Sequence, residues 1–164
     1  VADETGVSLS MIDTLPLWQI AMVLQATQAQ RLGLRGDYGI DYQLLNAARA
    51  HSLPIIELEG TDSQIALLRQ LPDDGLMLLD DTLTHWHTNA RLLQTMIGWW
   101  LDAPPEDGKL ALPSTFSESL YDVLMNARNK AWRQTLHALP AGHYVVAVGA
   151  LHLYGEGNLP SLLK

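Results

Sequence analysis

Residues 144–159, YVVAVGALHLYGEGNL, place a histidine at a strand end, where α/β proteins do chemistry. Residues 144–148 suit a buried strand, and Gly149-Ala150-Leu151-His152 turns out of it. Ligands in open α/β sheets gather outside the carboxyl ends of the strands. There His152 would serve as a metal ligand or a general base. The bland alternative is a histidine hydrogen-bonded at a loop edge. Glu59 occupies a similar place, closing the apolar run Ile55-Ile56-Glu57-Leu58. If the two strands are parallel neighbours, Glu59 and His152 face one cleft. Glu59 also precedes a helix starting at Thr61, whose N-terminus favours a carboxylate on electrostatic grounds alone.

Arg128 and Asn129 lie in NARNKAW, on a helix whose buried side carries Leu124, Ala127, Ala131 and Trp132. An arginine at the edge of an apolar face either pairs with a carboxylate structurally or clamps a substrate carboxylate or carbonyl. The structural role is favoured from the sequence. His85 and His87 stand two apart, so a helix points them in different directions and they do not form the i, i+4 pair of a helical zinc site. Asp81, Thr84, His85 and Thr88 share one polar stripe, read as solvent face before cleft lining. Ser8, Ser114 and Ser117 lack a nucleophile-elbow context. Gly155-Glu156-Gly157 is no phosphate loop.

The elements that must position these groups follow from periodicity. Helices are expected from Thr14-Leu15-Pro16 to about Leu32, over 41–51, 61–71 and 76–101, over 117–139, and from Asn158 onward. Strands are expected at 55–58 and 144–148. Pro72-Asp73-Asp74-Gly75 and Pro104-Pro105-Glu106-Asp107-Gly108 read as turn and loop. Both strands are apolar throughout, as parallel strands covered on both faces are. Two strands make no independent sheet. The expected class is therefore a helix-rich α/β fold, part of a domain with few parallel strands and five to six helices.

Composition bounds the partners. The 164 residues suit one domain, with 48% hydrophobic and 17% charged residues. A net charge of −8 argues against nucleic acid. Glu57, Glu59, Asp62, Asp73, Asp74, Asp80 and Asp81 crowd one stretch against Arg69 alone, as a cation attractor or, more simply, a solvated surface. No cysteine is present, which excludes disulfides and thiolate metal sites. No apolar run approaches the ~20 residues of a membrane helix.

Four segments in order resemble the TraB/PrgY/GumN family, related to the Tiki proteases. They are GIDYQLLNAA with Asp41, LEGT with Glu59, Arg128-Asn129, and VGALHL with Gly149 and His152. The resemblance spans essentially the whole chain, 1–164, as one domain. It implies an α/β fold like that of ChaN and erythromycin-esterase-like proteins. It also implies a metal-dependent hydrolase, in the peptidase class, with Glu59, Arg128 and His152 as catalytic positions. Glu59 and His152 would hold manganese, cobalt or zinc. Asp41, Asn129 and Gly149 would support the site, with His85 as a further candidate. The alternative is a non-catalytic protein that binds a peptide or other ligand. The family's first Gly-x-x-His is absent, which implies that it stands in a segment upstream of Val1. A sheet edge left open by that absence would be covered by dimerisation. The compartment is left open, since any targeting segment would also lie upstream.

Overall fold

In a computed structural model, described for residues 1–102 and 118–164, the chain is an assembly of helices. Two short helices, α1 (Ala2–Thr5) and α2 (Leu9–Ile12), lead into α3 (Leu17–Arg31). A 3₁₀ turn, Gly36–Tyr38, precedes α4 (Ile40–Ala50); α5 (Thr61–Arg69) follows after an irregular connection. The tight turn Pro72–Gly75 feeds α6 (Leu76–Thr84), and α7 (Trp86–Asp102) continues after His85. Beyond the undescribed stretch come α8 (Glu118–Tyr121), a π-helical segment (Asp122–Asn126) and α9 (Ala127–His137). A 3₁₀ turn, Ala150–His152, and α10 (Leu159–Leu162) end the chain. The expected loop at 104–108, Ser114 and Ser117 fall outside the described residues.

The core forms where α3 crosses α6. Ala21, Leu71 and Leu78 pack there with Leu120, Leu124 and Met125 from the α8–π segment, flanked by Trp18, Leu68 and Leu151. Polar bonds lock the crossing. Gln25 Nε2 donates to Thr82 Oγ1 at 2.8 Å, and Gln28 Nε2 to the Trp86 carbonyl at 2.9 Å. Trp86 Nε1 reaches back to Glu4 Oε2 at 2.8 Å, which ties α1 to the start of α7. Asp74 accepts from Leu17 N at 3.1 Å, so one member of the acidic stretch serves the helix start expected of Thr14.

The expected α/β class is overturned: among the described residues there is no strand and no sheet. Residues 55–58 and 144–148 form neither helix nor ladder and bond to no neighbouring backbone among the described residues. A strand exists only as part of a ladder, and the described chain gives neither segment a partner. Their side chains are correspondingly open, with Ile56 51% and Val145 90% exposed. The helix expected over 76–101 is broken at His85, whose φ of −99° and ψ of 18° end α6. On α4, Leu44 and Leu45 are exposed; on α5, Ile65, expected inward, is exposed, while the equally expected Leu68, and Leu71 just after the helix, pack against the core together with Leu67.

Candidate functional site

Three stretches far apart in sequence meet here: the segment before α5, α9 and the 149–152 turn. The π-helical segment runs directly into α9, and such insertions recur at functional sites. Glu59, just before Gly60 and α5, reaches across to α9. Arg128 Nε donates to Glu59 Oε1 and Oε2 at 3.0 and 3.2 Å, and Arg128 Nη2 closes the fork on Oε1. Trp132 Nε1 donates to Oε2 at 3.2 Å. Arg128 Nη1 binds the Leu124 carbonyl at 3.1 Å, and its guanidinium carbon lies 4.8 Å from the Trp132 ring centroid. Of the two sequence alternatives for Arg128, pairing with a carboxylate is the one realised. Its partner is Glu59, which is therefore more than a helix-terminus charge.

His152 sits on the other side of this pair. It is 4% exposed, and its ring centroid lies 4.4 Å from that of Trp132. Its Nδ1 is 2.7 Å from Asn129 Oδ1, and Asn129 Nδ2 donates to the Gly157 carbonyl at 3.0 Å. Its backbone N–H closes the turn onto Gly149 O at 2.9 Å. Burial, then the Arg128 charge, push the imidazole pKa down to about 4, against a smaller upward pull from Glu59. The ring is therefore neutral at pH 7. No described residue bonds to Nε2, and no buried side-chain N or O among the described residues lacks a partner. Nε2 therefore opens to the surface with its bonding capacity free.

Glu59, Arg128, Asn129, Gly149 and His152 are thus brought together. Asp41 and His85 are not: Asp41 is exposed on α4, and His85 is the residue between α6 and α7. Neither has a hydrogen bond, ion pair or ring contact to the cluster. Sequence reasoning assigned Trp132 to the buried side alone, yet it links Glu59, Arg128 and His152. The i, i+4 spacing of Arg128 and Trp132 on one helix was the available signal. Gly157 was also missed, since a backbone carbonyl leaves no trace in residue type.

A divalent metal would need several free nitrogen or oxygen donors here. His152 Nε2 fits as a ligand. Glu59 does not, because both its oxygens already accept from Arg128 and Trp132. Among the described residues no three His, Asp or Glu side chains stand together for an ion. The acidic stretch, expected as a cation attractor or solvated surface, gathers no such group either.

Comparison with known proteins gives the family. The family model for TraB/PrgY/gumN matches residues 1–164, and the chain belongs to that family. It is 69% identical over 164 residues to "Uncharacterized protein YbaP" of Escherichia coli (strain K12) and equally to that of Shigella flexneri. Each alignment covers 100% of this chain but 62% of the relative. No solved structure matches the chain. No helix among the described residues is long and apolar enough to cross a membrane.

Proposed function

We propose that this chain supplies one half of a hydrolytic site, in a peptidase of the TraB type, with His152 as its proton-accepting group. The observation that carries this reading is a buried, neutral imidazole with one nitrogen held by Asn129 and the other free. A neutral imidazole is the form that takes a proton from an attacking water, and the same nitrogen later returns it to the leaving amine. The water oxygen bonds to the peptide carbonyl carbon as that proton moves to Nε2. The collapsing intermediate breaks the C–N bond. Arg128 orients Glu59 and Trp132, and through the Trp132 ring it fixes one wall beside His152. The remaining groups are sought in the part of the relatives' length that this chain does not span.

The test is cleavage of a mixed peptide library by the protein at the relatives' full length, read by mass spectrometry. Reactions run with chelator and with added Mn²⁺, Co²⁺ or Zn²⁺. Cleavage is expected. Cleavage restored only by one ion would assign the missing donors to the unspanned part. The engagement of both Glu59 oxygens favours a second reading, in which the same residues bind a peptide without turning it over. Stoichiometric, chelator-insensitive binding with every peptide left intact would establish that reading and end the first.

A further inference from the structure

We infer that Asn129 is the positioning residue that selects the tautomer of His152 and so makes Nε2 its working nitrogen. The amide has two ends, and only one orientation satisfies both partners. Gly157 O is an acceptor, so the amide nitrogen must face it; the contact is 3.0 Å. The oxygen then faces His152 Nδ1 at 2.7 Å and can only accept. A flipped amide would set oxygen against the Gly157 carbonyl and nitrogen against the ring. Nδ1 therefore carries the proton, and the lone pair of the neutral ring lies on Nε2.

The burial of the pair makes the selection effective. Asn129 is 2% exposed and His152 4%, so water does not compete for this bond. In water an imidazole prefers the opposite tautomer by a small margin, and one buried bond of this kind outweighs it. The anchor is itself fixed. Gly157 has a φ of +70°, and a Cβ there would lie 3.1 Å from Asn126 Oδ1. Asn126 belongs to the π-helical segment, where its Nδ2 donates to Asp122 Oδ1 at 3.2 Å. The 155–157 turn, the π-helical segment and α9 thus act together on one imidazole proton. The catalytic meaning rests on the hydrolytic reading; the tautomer does not.

Long-range ¹H–¹⁵N correlation spectra of the full-length protein at neutral pH read the tautomer directly. The native protein should show a protonated Nδ1 and a pyridine-like Nε2. Asn129→Ala should lose that preference. Asn129→Asp should keep Nδ1 protonated, because a carboxylate also accepts from Nδ1–H, in a protein destabilised by its second oxygen facing the Gly157 carbonyl. Gly157→Ala, which moves the anchor, should weaken it. In the peptide assay Asn129→Ala should lower kcat about 10–100-fold with KM little changed, as for loss of a group that orients a ligand or base. A protonated Nε2 in the native protein overturns the inference, as does an unchanged tautomer in folded Asn129→Ala. If Asn129→Ala fails to fold, the native and Asn129→Asp spectra still decide. The expected native tautomer with no peptide cleavage would leave this inference standing and remove the hydrolytic reading.

Discussion

Arg128 and Glu59 hold each other in a setting where neither can be removed alone. Their side chains are 21% and 16% exposed, and the carboxylate also receives Trp132 Nε1. Removing one partner of a buried pair leaves an uncompensated charge, at a cost of about 3 kcal/mol. Arg128→Ala should therefore lower stability by roughly that amount in urea titration, and Arg128→Ala with Glu59→Gln by less than the sum of the singles. Strict additivity would show that the two residues do not interact. His152 makes a second residue-scale prediction through its depressed pKa of about 4. The unfolded ring titrates at its ordinary value near ~6.5, so between those values the unfolded state binds more protons. Stability from this group is complete above pH ~6.5 and is lost as pH falls toward 4. The upper bound is about 3 kcal/mol, reduced by water reaching Nε2. His152→Gln should flatten this part of the stability–pH curve; an unchanged slope would count against a buried neutral ring.

At the scale of elements, the turn Pro72–Gly75 joins α5 to the crossing of α3 and α6. Gly75 has a φ of +84°, and a Cβ there would lie 2.6 Å from Trp18 Cβ and 3.0 Å from Trp18 N. Backbone cannot yield as a side-chain tip can. Gly75→Ala should cost about 3 kcal/mol by denaturant titration; a loss below about 1 kcal/mol would show that the turn and α3 are not packed this way. Trp18 had an apolar pattern to announce it, but its approach to Gly75 did not. The same limit explains the fold. Helix positions were legible because α4, α5 and α9 each carry local apolar periodicity with local stop signals, while α3 is bounded by Pro16 and Gly33. Residues 55–58 and 144–148 have strand-like composition, yet strand formation needs a partner that composition cannot supply. Glu59, Arg128 and His152 were readable as a group only through the family resemblance. Trp132 and Gly157 were not, since their roles depend on where α9 lies against the 150–157 turns.

For the whole molecule, the open faces matter as much as the core. Ile55, Ile56, Val145 and Val146 are each at least 43% exposed, on irregular segments that run directly into Glu59 and into the turn of His152. Unpaired backbone with apolar side chains is prone to self-association. The 164-residue chain in isolation should therefore run larger than a monomer in light scattering at micromolar concentration. Ile56→Lys with Val145→Lys should return it to a monomer. A monomeric wild-type chain would remove this expectation without touching the site. The site itself is tested most directly by turnover of a cleaved library peptide in the full-length protein, native against His152→Gln. The account predicts a loss of at least about 100-fold in kcat, the low end of what a positioned acid–base group contributes. Undiminished turnover in a folded His152→Gln protein would contradict it.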